Sequence, residues 1–431
     1  MRIIPQIKLF GYNEDEILGD LERLQMVLDY MPDEKIIHKL YKIRGKGRND
    51  WPVEAMWNSF LASFVFEHRS ISDLLRELKR NRQLREMCGF ELKYIKNKDG
   101  SIQMMLAPTN SAYTNFLNNL KLCNEEIREA FDSLVKYMYE NLDLFGEILG
   151  VDGKAIQSFA TNYSKKSERD GRRDKDADWC MKEYTTSISA KGEKTIKKVK
   201  WFGYRLHLIV DAKYELPIDY RLTKASGSEQ TNLHEMLDIL AKERPYILNG
   251  CDYFLGDRGY DSTSLIEKLK GNGIAPIIDI CNKWRDGEKT KQYKDTNLTY
   301  TFNGRVFYTN EVGKEIELMY KAYDKSSDSA RYGFHPKYKD RRIFRIKLDE
   351  DRRIFLPVGR QSMKFKRLYK KRTSVERVNG RLDRDYGFEN HTIRGKEKME
   401  LFIGVTFLVG LTMAKAKIEK GNKKHLASLV S

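Results

Sequence analysis

Paired cysteines, long apolar runs and repeats are scarce in this chain, and each shortage removes a class of protein. Its five cysteines (Cys88, Cys123, Cys180, Cys251, Cys281) are odd in number, widely spaced and form no C-x-x-C. That pattern fits neither a disulfide framework nor a zinc site, and suits reduced thiols in a cytoplasmic protein. The opening "MRIIPQIKLFGYNEDE" lacks the apolar run of a secretory signal. The most apolar stretch, "LFIGVTFLVGLTM" (401–413), is too short to cross a bilayer and predicts a buried core helix. A basic amphipathic anchor for a membrane surface is missing too. With no repeat period and no low-complexity tract, organisation has to be read from changes in pattern.

Acid is short in one place. From Lys364 to Arg381, in "KFKRLYKKRTSVERVNGR", eight Lys or Arg residues accompany a single acid, Glu376. A helix face built for solubility mixes its charges. Across all 431 residues the net charge is +17 and the sequence pI about 9.3. Such an excess is the footprint of a nucleic-acid partner or an anionic membrane surface, and the missing anchor favours the first.

At this length two or three domains are expected. Residues 13–145 read as helical. Asn13 followed by Glu16 is a capping-box start, with Ile17, Leu21, Leu24 and Leu28 on one stripe. "WPVEAMWNSFLASFVFEH" opens with Pro52 at a first helical position, breaks at "HRSIS" and resumes as the basic "DLLRELKRNRQLREM". Such a pair suits a DNA-binding helix-turn-helix, and equally any two packed helices.

From 146 to 281 the texture turns to short strands. "EILGVDGKAI" (147–156) predicts one, and "WFGYRLHLIVDAKYELPIDYRL" (201–222) predicts two around a turn near Lys213–Tyr214. Tyr204, Leu206, Leu208 and Val210 share a face at period two. "SEQTNLHEMLDILAKE" is helical, "YFLGD" (253–257) a short buried strand, "DSTSLIEKLKGNG" a helix and "IAPIIDI" (274–280) a further strand. The fold class is therefore α/β, a mixed sheet covered by helices. Residues 282–362 read as a β-rich insertion of mostly antiparallel strands. Helices return at 373–388 and 398–418, within a C-terminal region 363–431.

Three carboxylates stand out by position. Asp152 follows the apolar run "ILGV", Asp257 ends "YFLG", and Glu376 is the lone acid of the basic segment. Strand ends facing a crevice are where α/β sheets bind ligands. Acids converging there would hold Mg²⁺, which prefers oxygen donors. Two such ions about 4 Å apart support phosphoryl transfer, provided bases nearby hold the phosphates. Asp211, Asp252 and Asp279 remain alternatives, and Asp261 reads as the cap of the next helix. His207, in "YRLHLIV", reads as a hydrogen-bonded strand histidine. An i,i+4 ion pair with Arg372 is the ordinary alternative for Glu376.

In that order these segments resemble the DDE-type transposases of bacterial insertion sequences. "GVDGKAI" is similar to the first-Asp strand, "FLGDRGYDS" to the second-Asp segment, and "YKKRTSVER" to the Y-x-x-R-x-x-x-E signature. The resemblance implies an RNase H-like catalytic core over 146–281 and 363–431, after an N-terminal helical region, 1–145, that binds DNA. It implies Asp152, Asp257 and Glu376 as catalytic metal ligands, with two Mg²⁺ ions for which Mn²⁺ can substitute. Tyr369, Lys370, Lys371, Arg372 and Arg381 would contact DNA. Implied partners are double-stranded DNA and a second copy of the chain or more, acting in the cytoplasm at the nucleoid. A nuclease on the same fold, or a non-catalytic DNA-binding descendant, is the alternative. One position departs from the family pattern: Asp383 stands where a Lys usually lies seven residues after the Glu. Residues 165–173, in "SKKSERDGRRDKD", read as a basic loop able to clamp DNA backbone.

Overall fold

The computed structural model describes residues 19–45, 51–96, 99–160, 174–188 and 194–429. The capping box at Asn13 and the basic loop at 165–173 lie outside them.

The N-terminal part supplies α1 (Leu21–Tyr30), α2 (Glu34–Arg44), α3 (Val53–Val65), α4 (Ile71–Arg80) and α5 (Arg82–Cys88). A hairpin follows, β1 (Lys93–Lys96) and β2 (Ile102–Met105), then α6 (Asn110–Leu120) and α7 (Asn124–Asn141). The hairpin corrects the all-helical reading of 13–145. Its side chains Leu92, Tyr94, Ile102 and Met104 stay exposed, so no burial signal marked it in advance. The break between α3 and α4 falls where "HRSIS" placed it. Ser70 caps α4 by accepting from Asp73 N at 3.2 Å.

Next come β3 (Ile148–Gln157), β4 (Asp178–Ile188), β5 (Lys194–Asp211), β6 (Pro217–Lys224), α8 (Glu229–Glu243), α9 (Pro245–Asn249), β7 (Tyr253–Gly256), α10 (Thr263–Gly271) and β8 (Ala275–Ile278). These strands form one mixed sheet. β5 runs antiparallel to β3, β4 and β6, whereas β3, β7 and β8 are parallel neighbours. The order β6-β5-β3-β7-β8, three antiparallel strands then two added in parallel, is the RNase H-like mixed sheet that the sequence led us to expect. Tyr204, Leu206, Leu208 and Val210 are all buried, as their period-two spacing requires.

The insertion comprises β9 (Lys291–Gln292), β10 (Leu298–Tyr300), β11 (Val306–Thr309), β12 (Glu315–Asp324), β13 (Ser329–Gly333) and β14 (Ile343–Lys347). They make a wholly antiparallel sheet around a core of its own, including Tyr300, Val306, Leu318, Ile346 and Phe355. The chain then closes with α11 (Met363–Lys370), α12 (Thr373–Arg384) and α13 (Lys396–Glu419). α12 ends four residues before the expected 388, and α11 was not anticipated.

α13 carries the apolar run. Its most apolar window of 18 residues is 83% buried within the fold, against α1, α3 and α7. Phe402 meets Phe60 with ring centroids 5.1 Å apart, and Phe407 lies 6.3 Å from Phe131. This helix is what joins the N-terminal helices and the mixed sheet into one continuous core.

Candidate active site

The parallel pairing of β3 and β7 decides where the first two acids meet. Ile148, Leu149 and Gly150 lie opposite Tyr253, Phe254 and Leu255. Continuing that register by two residues sets Asp152 level with Asp257, on strands about 5 Å apart. Asp257 Oδ1 accepts from Gly259 N at 2.8 Å, which turns the chain sharply after β7. Asp152 Oδ1 accepts from Gly153 N at 2.9 Å and Oδ2 from Asn379 Nδ2 at 3.1 Å. Burial raises the Asp152 carboxyl above its usual range; Lys182 opposes that shift, and the nearby charges of Asp257 and Glu229 add to it.

Asn379 belongs to α12, one turn beyond Glu376, so the helix of the third acid is laid directly on β3. Gly150 lets it come close: a β-carbon there would stand 3.6 Å from Ser374 Oγ and 3.9 Å from Val375 Cβ. Val375, Val378 and Leu382 form the buried stripe of α12. Glu376 itself is about half exposed and pairs with Arg372 at 2.7 Å. The ordinary ion pair considered for it is thus present. Among the described residues, no three acid, histidine or cysteine side chains already surround a common point.

Tyr369, Arg372 and Glu376 do not lie on one unbroken helix. α11 stops at Lys370, and the junction turns through Arg372 N to Tyr369 O (3.0 Å) and Ser374 N to Lys371 O (3.0 Å). The Arg372 guanidinium still lies 5.7 Å from the Tyr369 ring centroid, and Tyr369 stacks on Phe365 at 5.9 Å. Lys370 and Lys371 are exposed. Arg381 is not: it pairs with Glu215, which also takes Arg377 at 2.5 Å. A β-carbon on Gly380 would meet nothing within 4 Å, so that turn of the helix is open.

The other acids sort by place. Asp252 precedes β7, at the strand end away from Asp257. Asp211 is fully buried and accepts from Gly146, Lys213 and Tyr214 N–H groups, which makes it a turn-holding residue. Asp279 pairs with Arg258 at 2.5 Å. The cap of α10 is Ser262, not Asp261. Asp261 is buried instead, accepting from Cys281 N at 3.1 Å and lying 3.4 Å from Arg353. That ion pair ties the β7 turn to the insertion, a long-range contact that local spacing does not reveal.

Asp383 answers the departure from the family pattern. It pairs at 2.5 Å with Lys154, whose side chain is only 11% exposed. The cation has been supplied from β3 rather than from the helix. We expect Asp383→Lys alone to cost about 2 kcal/mol by opposing two ammonium groups. Adding Lys154→Asp should recover at least half of that in urea denaturation, and no recovery would discard the exchange.

His207 is a strand histidine, bonded to Thr223 Oγ1 at 2.9 Å and 1% exposed. Burial, with help from Arg205 and Arg221, pushes its pKa down to about 4. The unfolded chain takes up this proton near 6.5, so stability is present above 6.5 and lost as pH falls towards 4. We expect wild type to lose about 3 kcal/mol relative to His207→Gln between pH 6.5 and 4. Parallel stability curves in thermal melts over that range would refute this.

Sequence reasoning missed Glu229. Its carboxylate lies near both aspartate-bearing turns: a β-carbon on Gly153, next to Asp152, would stand 2.7 Å from Glu229 Oε1. One on Gly259 would stand 3.2 Å from Glu229 Oε2 and 2.9 Å from Asp257 Oδ1. In the sequence it is an acid in the first turn of a helix, an ordinary place for one. Lys182 and Arg205 approach Glu229 Oε1 at 3.1 and 3.0 Å. Tyr260 is buried among these acids with a hydroxyl that has no partner.

Comparison with known families identifies the group to which the chain belongs. The model of the transposase DDE domain matches residues 161–409, more than half of the chain. That of a second transposase domain, DUF772, matches residues 14–99. Asp152 lies just before the first of these matches. No curated protein matches the chain. Among solved structures it is similar to piggyBac transposase in a synaptic complex with hairpin DNA, at 12% identity and TM-score 0.39, covering 95% of this chain and 79% of that one. It is also similar to the Mos1 pre-cleavage transpososome, at 14% identity and TM-score 0.18, covering 62% of this chain and 78% of that one. At those scores the assignment rests on the family matches and on the sheet with its paired acids. By these matches the chain belongs to the DDE-domain transposase family.

Proposed function

We propose that this transposase cuts double-stranded DNA at the ends of a mobile element and joins the freed ends to a target, with Asp152, Asp257 and Glu376 as the ligands of divalent metal ions. The observation that carries this reading is the level placement of Asp152 and Asp257 on parallel β3 and β7, with α12 laid across them.

The donor set fits a hard cation. It offers carboxylate oxygens and, buried among them, the unpartnered Tyr260 hydroxyl, and among the described residues no thiol or imidazole is bonded to these acids. When bound, two Mg²⁺ ions, or Mn²⁺ in their place, would activate the attacking oxygen and stabilise the leaving one. Gly153 N–H and the Asn379 amide fix the two oxygens of Asp152, so this carboxylate is oriented in advance. Gly259 N–H does the same for Asp257. Glu376 reaches the site by leaving Arg372, whose planar fork is then free for a phosphate. Tyr369, Lys370 and Lys371 extend that surface along the DNA backbone. Arg381, occupied by Glu215, contributes through the placement of α12 instead.

Two ends have to be held together for joining, so a dimer or larger assembly on DNA follows. We place the reaction in the cytoplasm, at the nucleoid. The test is an in vitro reaction of purified protein, Mg²⁺ and DNA from either side of the gene. Nicked ends and joined products are expected. Hydrolysis without joining at every metal and end sequence would favour a nuclease, and tight binding with no cleavage a regulator.

A further inference from the structure

Several cations around the paired aspartates have a carboxylate of their own. Arg372 has Glu376, Arg258 has Asp279, and Lys154 has Asp383. Arg377 and Arg381 share Glu215 at the far side of α12. Nearer the acids, Lys182 and Arg205 likewise converge on one carboxylate oxygen, Glu229 Oε1, at 3.1 and 3.0 Å. The two cations differ in access. Arg205 is 9% exposed and stacks 5.5 Å from the Trp201 ring centroid, whereas Lys182 is 32% exposed.

Their backbone explains the placement. Lys182 sits on β4 opposite Val199 of β5, where the two strands run past the rest of the sheet as a ribbon. Arg205 follows on β5, opposite Ala155 of β3. Glu229 opens α8, fixed by the Ser228 cap, and its carboxylate reaches close to Gly153 and Gly259, where a larger side chain would push it aside. A cation is thereby held close enough to Asp152 for its charge to oppose the upward shift of that carboxyl.

We propose that Lys182 is a catalytic residue that binds a non-bridging oxygen of the phosphate under attack, with Glu229 and Arg205 as its positioning residues. This rests on the reading that Asp152 and Asp257 form the DNA-cutting site. Two carboxylates facing a phosphodiester repel it, and a partly exposed ammonium on β4 offsets that repulsion without blocking the acids. Negative charge increases on those oxygens as the attacking oxygen adds, so the contact strengthens along the reaction. Glu229, shared by two cations, orients Lys182 while leaving ammonium protons free for the phosphate.

The experiment uses the full chain and a duplex spanning the junction that wild type cuts, mapped first by primer extension. Lys182→Ala should slow single-turnover nicking about 10²–10³-fold and leave the melting temperature unchanged. Lys182→Arg should restore part of the rate. A second readout needs no metal: in EDTA, replacing the scissile phosphate by a neutral methylphosphonate should weaken wild-type binding about tenfold. The same replacement should not weaken Lys182→Ala, because the pair is already broken. Glu229→Gln should show an intermediate loss in both assays. Nicking by Lys182→Ala within threefold of wild type, or an undiminished methylphosphonate penalty in that variant, would overturn the proposal while Asp152→Ala stays inactive. If Asp152→Ala also cuts normally, or wild type cuts nothing, the functional reading itself fails and takes this inference with it.

Discussion

Glu376→Ala is expected to stop Mg²⁺-dependent cleavage while hardly changing stability. The exposed pair with Arg372 at i,i+4 contributes only about 0.3–0.5 kcal/mol. A purely structural Glu376 would therefore give a variant of nearly normal melting temperature and normal activity. The metal-ligand role predicts a different pair of results. Melting should again be nearly normal, but single-turnover nicking should fall at least about 10³-fold, the equivalent of some 4 kcal/mol of transition-state stabilisation. Binding to the cut DNA should stay within about threefold. Arg372→Ala is the informative partner, because it leaves Glu376 free to reach the acids and removes only a phosphate contact. Its loss in nicking should be the smaller of the two, and the reverse order in a side-by-side time course would contradict the assignment.

Gly203→Ala is expected to cost the most stability of any single methyl addition near the site. Gly203 lies where β3, β4 and β5 meet, opposite both Gln157 and Asp178, at φ +154°. A β-carbon there would stand 2.2 Å from Ile156 O and 2.5 Å from Ser158 N. Those are backbone atoms of the strand that carries Asp152, so no side-chain rotation relieves the clash. Shifting β3 would disturb its ladder and its seat under α12. A loss of about 3 kcal/mol or more in urea unfolding is expected, with nicking reduced in step at temperatures where the variant is still folded. Gly380→Ala is the control. The added methyl meets nothing within 4 Å, and helix propensity predicts a gain of up to about 1 kcal/mol.

What could be read in advance was what periodicity and strand ends encode. The alternation in "YRLHLIV" gave β5, the run "YFLG" gave β7, and the isolated acid among bases gave α12 its interest. Their order also pointed to the family. The partners could not be read, because they depend on register between distant strands. Nothing in the sequence says that Asp152 and Asp257 stand level, or that Glu229 comes close to Gly153 and Gly259 beside them. Nor does it say that Lys154 neutralises Asp383, since that pair spans two elements over 200 residues apart. Arg381 looked free for DNA because it ends a segment with eight bases and one acid; Glu215, from the turn after β5, occupies it. Asp261 looked like a cap because Ser262 beside it is one. The α11–α12 junction was hidden for a local reason: "YKKRTSVER" has the propensity of an unbroken helix, and only its hydrogen bonds show the turn.

The most direct test of the central claim is the count of Mn²⁺ ions held by the DNA-bound protein, titrated by electron paramagnetic resonance. Wild type is predicted to hold two ions per active site. Asp152→Asn and Asp257→Asn should each lower that count or weaken its affinity about tenfold or more, while DNA stays bound. An unchanged titration in the double variant Asp152→Asn/Asp257→Asn would contradict the account, because the ions would then be held somewhere other than between β3 and β7.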